Sequence, residues 1–196
     1  MKNQIRPLLT IFVLLTILTG GIYPLLVTGL SHIFFPSQAN GSLIQQGGIV
    51  VGSELIGQNF TAQEYFWGRP SATSGYPYNA FDGKMLTGSA GSNLGPLSQS
   101  WVDAVHERVA LLHKVDASNN RPIPVDLVTA SGSGLDPNIS VAAAYFQVPR
   151  VSRARGLSEE AVAALVDQFI ENRQFGILGE ARINVLMLNL ALNGIK

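Results

Sequence analysis

Apolar and polar positions follow one another in three regimes along this chain. From Pro7 to Ser53 there is no Asp, Glu, Lys or Arg, and within that stretch Leu8 to Leu30 is almost wholly apolar. As a helix, those roughly 23 residues reach about 34 Å, enough for a hydrocarbon core of ~30 Å. A cleaved secretory signal is the competing reading, and Ser37-Gln38-Ala39 offers it small residues. A signal's apolar core is only ~7–15 residues, so the length favours a retained anchor. Residues 36–47, polar and rich in Gly, Ser and Gln, read as a linker.

The second regime is short and broken. Ile49-Val50-Val51 and Leu55-Ile56, separated by Gly52, suggest short strands or a hairpin. Gly, Ser, Pro, Asn and Tyr dominate residues 68–96, which predicts a long loop, and loops that long in compact domains are functional or disordered.

The third regime is helical. Trp101, Val105, Val109 and Leu112 recur at three- and four-residue steps, predicting a helix over 96–114. Asp136-Pro137 reads as a helix start that Pro149 ends or kinks. Ser158-Glu159-Glu160 opens a third helix that buries Val162, Leu165, Val166 and Phe169, and 184–193 forms a short, almost wholly apolar fourth. The expected class is α+β: one amino-terminal transmembrane helix, then a single extracytoplasmic domain of about four helices on a small antiparallel sheet. The expected boundaries are 1–7 for a cytoplasmic amino terminus, 8–30 for the span, 31–47 for a linker and 48–196 for the outer domain.

Charge sets the expected orientation. Lys2 and Arg6 precede the span, all 13 acidic residues follow it, and the first charge beyond it is Glu54. The positive-inside rule then places the amino terminus in the cytoplasm and residues 31–196 outside, in an inner (plasma) membrane protein. The part beyond Arg6 is mildly acidic, a poor match for nucleic-acid phosphates. With no cysteine there is neither a disulfide framework nor a thiolate site.

Within the span, Thr16, Gly20, Pro24 and Thr28 are spaced by four, along one slanting helix face. Either this stripe packs against another membrane helix, or it reflects the general abundance of Gly and Pro in membrane helices. The search for chemistry assigns no catalytic residue and no metal ligand. His106-Glu107 lacks the second histidine four residues after the first, and His113 stands seven away, so a solvated helix face is the better reading. Gly83-Lys84 lacks the first glycine and the Ser/Thr of a phosphate loop, since Tyr78 and Met85 hold those positions. Neither Ser92 nor Ser133 has the flanking glycines of a nucleophile elbow. Ser131-Gly132-Ser133-Gly134 forms a flexible turn whose amides could cradle an anion, although a tight connection is the simpler reading. Arg150, Arg153 and Arg155 form a basic cluster expected to be solvated or paired with Glu159 and Glu160.

Several stretches in order carry a resemblance: Leu18-Thr19-Gly20-Gly21 with Tyr23-Pro24; Leu55-Ile56-Gly57-Gln58 with Phe60; Tyr65-Phe66; Arg69-Pro70-Ser71-Ala72; Gly91 through Pro96; Asp126 through Pro137; Gln147 with Arg150-Val151; and Asn184-Val185-Leu186 with Leu188-Asn189-Leu190. Together they resemble the C subunit of the bacterial high-affinity potassium-transporting P-type ATPase. Asn138, Val141 and Ala181 depart from that family's pattern, which has His, Pro and Pro there, and the 75–88 loop is longer. The resemblance implies a non-catalytic subunit whose partners are a channel-like A subunit that carries potassium, a B subunit that hydrolyses ATP through a phosphorylated aspartate, and a very small F subunit. It implies stabilisation of that complex and a chaperone-like increase in the B subunit's ATP affinity. It makes Ser131, Gly132, Ser133, Gly134 and Gln147 the residues for any nucleotide effect, with ATP and potassium otherwise handled by the complex and no cofactor bound by this subunit itself. A large domain outside the membrane conflicts with contact to cytoplasmic ATP. A second reading is a membrane-anchored enzyme or binding module for cell-envelope ligands, with a site in the 68–96 loops around Tyr65, Trp67 and Arg69.

Overall fold

The computed structural model describes residues 2–84 and 86–194. Met1, Ile195 and Lys196, which close the expected amino-terminal and outer segments, and Met85, in the dismissed phosphate-loop pattern, lie outside the described residues. The chain forms two compact units, Met1–Ser53 and Glu54–Lys196.

The first unit is led by α1 (Lys2–Ile17), a π-helical turn at Leu18–Ile22 and α2 (Tyr23–Phe34). Gln4–Phe34 is long and apolar enough to cross a membrane, extending past the expected 8–30 at both ends. The π turn has a local cause. Pro24 has no N–H to give the Gly20 carbonyl and its ring crowds that carbonyl, so the ladder widens and the Tyr23 N–H bonds five residues back, to the Leu18 carbonyl. After the short α3 (Pro36–Ala39), β1 (Leu43–Gln46) and β2 (Ile49–Ser53) pair antiparallel, with Leu43 opposite Ser53 and Gln46 opposite Ile49. Most of the expected 31–47 linker is therefore in helix or strand. The hairpin signal was present as Gly47-Gly48, a two-residue turn between apolar runs. Leu55 and Ile56, expected as its second strand, lie beyond it, in the other unit.

The second unit is α+β, but its strands do not form one sheet. β3 (Phe81–Asp82) pairs with β4 (Thr87–Gly88), and β5 (Asn138–Ser140) pairs with β6 (Arg182–Asn184), each as an antiparallel ribbon. Four helices surround the core: α4 (Gln99–Val115), α5 (Val141–Arg155), α6 (Glu159–Gln168) and α7 (Val185–Leu192). The core joins Phe66 and Trp67 to Ile139, Phe146 and Val151, to Val162 and Val166 of α6, and to Leu188 and Leu192 of α7. As the apolar run predicted, α7 is buried on several sides, whereas α4 buries only Leu112.

α5 begins four residues later than expected. Asp136 does not cap it; its carboxylate accepts from the Asn138 N–H at 3.0 Å, making a turn, and Asn138–Ser140 is then committed to β6. Ser140 is the cap, its Oγ accepting from the Ala143 N–H at 3.0 Å, and Asp126 in turn accepts from the Ser140 N–H at 2.7 Å and Oγ at 3.1 Å. Nor does Pro149 end the helix, which continues to Arg155. The Tyr145 carbonyl, deprived of its partner by the proline, accepts instead from Arg121 Nη1 at 3.3 Å. α4, expected from residue 96, begins at Gln99, while the other two starts follow the sequence: Ser158 caps α6 and Asn184 caps α7.

Candidate functional site

Phe66 and Trp67 pass through the core without regular secondary structure, so their peptide groups need partners other than a helix or a sheet. Two amide side chains supply them. Asn189 of α7 accepts from the Phe66 N–H at 2.8 Å and donates to the Phe66 carbonyl at 2.9 Å. Gln147 of α5 does the same for Trp67, at 2.8 and 3.1 Å, and donates a further bond to the Ala143 carbonyl at 3.2 Å. Each amide imitates a neighbouring strand. Both residues are 1% exposed.

Cations close around the Trp67 ring. Arg150 lies over it at 4.4 Å from the centroid, while its Nη2 donates to Gln147 Oε1 at 2.6 Å and its Nη1 donates to the Gln63 carbonyl. Burial lowers its pKa to about 10. Arg108 of α4 lies 5.3 Å from the same ring and donates to the Leu127 carbonyl at 3.0 Å and the Gly68 carbonyl at 3.3 Å. Burial also lowers its pKa. Neither guanidinium has a carboxylate partner among the described residues. The third arginine of the neighbourhood, Arg69, is paired with Asp136 at 3.1 Å. Of the expected basic cluster, Arg153 pairs with Asp116 rather than with Glu159 or Glu160, and Arg155 packs over Tyr65 at 5.0 Å.

Above Trp67 a cavity of about 300 Å³ opens between α4 and residues 59–78, walled by Phe60, Tyr78, Leu111 and Val115 and by the two arginines Arg69 and Arg108. Tyr78 forms its inner edge. Its hydroxyl donates to the Arg69 carbonyl at 2.7 Å, and burial, reinforced by Asp136, pushes the phenol up to about 12. A Cβ on Gly57 would stand 2.4 Å from the Tyr78 ring and 2.6 Å from the Asp136 carbonyl oxygen, so the family-like Leu55-Ile56-Gly57-Gln58 stretch needs its glycine for this approach. Trp67 and Arg69 of the second reading thus line the cavity, while Tyr65 does not.

Ser131–Gly134 sits elsewhere on the second unit, stapled to two neighbouring loops. The Ser131 N–H donates to the Pro70 carbonyl at 3.3 Å, and Ser131 Oγ accepts from the Gly134 N–H at 2.8 Å. The Ser133 carbonyl accepts from the Ala90 N–H at 2.9 Å, and the Gly134 carbonyl from Ser71 Oγ at 2.7 Å. Gly134 has φ +67, and a Cβ there would lie 2.6 Å from the Ala90 carbonyl oxygen. Gly132 and Ser133 are exposed, Ser131 and Gly134 buried. This loop and Gln147 are not joined by any hydrogen bond between described side chains. His106 and His113 are both exposed, and no group of three or more His, Asp or Glu suited to a metal occurs among the described residues. In the first unit, Thr16, Gly20, Pro24 and Thr28 are exposed, Thr16 Oγ1 donates to the Phe12 carbonyl at 2.8 Å, and a Cβ on Gly20 would meet nothing within 4 Å.

Neither Asn189, quoted only within the family-like Leu188-Asn189-Leu190, nor Arg108 was given a role at the sequence level. A single buried asparagine inside the apolar Val185–Leu192 was the available signal for the first. Arg108 carried none, because it stands off the apolar stripe like any solvated residue.

The sequence has counterparts among known proteins. Residues 5–194 match the family model described as K+-transporting ATPase, c chain. The chain is 55% identical over 194 residues to the potassium-transporting ATPase KdpC subunit of Polynucleobacter asymbioticus, covering 99% of this chain and 100% of that one. It is 57% identical over 193 residues to the protein of the same name from Burkholderia orbicola, with 98% and 97% covered. A further such subunit, from Paraburkholderia xenovorans, is 55% identical over 196 residues. With the match running from the apolar helix through both amide clamps, the chain belongs to the KdpC family of potassium-transporting ATPase subunits.

Proposed function

We propose that this chain is a non-catalytic accessory subunit of an ATP-driven potassium uptake complex, needed for its assembly and stability. Its partners are a channel-like A subunit, an ATP-hydrolysing B subunit and a small F subunit. The span docks laterally against a partner's helices through Thr16, Gly20, Pro24 and Thr28, and the 54–196 unit lies outside the inner membrane, as the charge asymmetry about the span favours. The observation that carries this reading is the full-length match to subunits named for the transporter, including the separate apolar helix.

The family's effect on ATP affinity is a coupling free energy between distant sites, which needs no nucleotide on this subunit. A tenfold change requires only ~1.4 kcal/mol of coupling. Gln147 supports this version, since its oxygen accepts two hydrogen bonds and its NH₂ donates two, leaving it nothing to offer a nucleotide.

Co-purification tests the proposal. In mild detergent the tagged chain brings down the other subunits in fixed ratio. Gly20→Leu, which fills an open notch in the span, lowers that recovery severalfold, and Leu15→Ile leaves it unchanged. Recovery of a single polypeptide would favour the envelope-binding reading, and equal recovery of both variants would remove the stripe from the account.

A further inference from the structure

We infer that the cleft above Trp67 is the socket for an acidic side chain on a loop of a partner subunit, an inference that rests on the accessory-subunit reading and adds the place and chemistry of one contact. The cleft's walls are mostly apolar and aromatic, with Asn59, Thr61, Gln63 and Ser71 among them, and its charged lining residues among the described ones are Arg69 and Arg108. Asp136 answers Arg69, but among the described residues Arg108 has no carboxylate partner, its Nε and Nη2 being held by main-chain carbonyls. Against the Trp67 ring Arg150 is a second cation without a carboxylate among the described residues. A low-dielectric pocket with unbalanced positive charge is complementary to an anion that arrives with its own apolar stem.

The shape of the surroundings favours a protein as the bearer of that anion. Trp101, Val105, Arg108, Leu111 and Val115 succeed one another at three- and four-residue steps, so one wall of the cleft continues as a stripe along α4. None of these residues is fully buried, and Leu111 is 40% exposed. A small molecule filling about 300 Å³ would leave most of that stripe in water. A partner loop that seats a Glu or Asp in the cleft covers both, the arrangement of a buried anchor within a broader apolar contact.

A photo-reactive benzoylphenylalanine placed at Leu111 in the full chain, within the assembled complex, reads the occupant directly. The expected product is a cross-link to another subunit, mapped by mass spectrometry to a segment containing Asp or Glu. Cross-links to lipid, to a segment without acidic residues, or to no other chain would overturn the socket. Intact co-purification in the same sample would show that the accessory-subunit reading survives that failure. Leu111→Asp supplies a carboxylate in cis and should lower recovery of the other subunits about tenfold, whereas Leu111→Asn should not. Equal recovery for the two, with thermal stability unchanged, would equally overturn it.

Discussion

Gln147 and the Ser131–Gly134 loop belong to the same family-like set of residues, yet they hold the fold by opposite means. Gln147 works through its side chain, which replaces a missing strand along Trp67 and anchors Arg150. The loop is joined to its neighbours through its backbone, whose carbonyls and amides reach residues 70–71 and 90, while its serine side chains serve the loop itself, Ser131 Oγ accepting from the Gly134 N–H at 2.8 Å and Ser133 Oγ from the Leu135 N–H at 3.1 Å. Similar motif status therefore does not imply similar chemistry. A residue whose partners are all internal is retained for architecture, and its loss registers as stability before it registers as function.

That contrast orders the expected effects. Gln147→Ala should be the most damaging, because it strands the Trp67 peptide groups and the Arg150 guanidinium and opens a cavity; a loss of about 3–5 kcal/mol is expected. The melting transition of the purified chain in detergent, read by tryptophan fluorescence, measures it. An unchanged transition would break the clamp argument. In the loop, the backbone change should outweigh the side-chain change. Gly134→Ala meets both the positive φ and the Ala90 carbonyl and should cost about 1–3 kcal/mol. Ser133→Ala should cost about 0.5 kcal/mol or less, as an exposed position. Reversal of that order in the same melting assay would show that the Ser133 hydroxyl has a role the backbone staples do not explain.

Legibility in the sequence followed the range of the interactions. The long apolar amino-terminal helix, the α6 cap at Ser158 and the apolar α7 were readable because their causes lie within a few residues. The late start of α5 was not, because it is decided by β6 some 44 residues away and by Asp126. Pro149, read as ending or kinking the helix, does not end it, and its remedy, Arg121 on the orphaned Tyr145 carbonyl, is also remote. The same limit hid the role of Gln147. Its position was singled out by resemblance, but its partner Trp67 is 80 residues earlier. The 31–47 stretch is the one miss with a local cure, since Gly47-Gly48 announces the hairpin.

On the proposed reading the subunit affects ATP use by holding the complex in a competent conformation, without a nucleotide site of its own. ATPase activity measured against ATP concentration, in fully assembled complexes carrying Ser131→Ala with Ser133→Ala, tests it most directly. The account predicts an apparent ATP affinity equal to that of the unaltered complex. A large loss of affinity, with subunit stoichiometry and thermal stability intact, would contradict it and place a nucleotide on this chain.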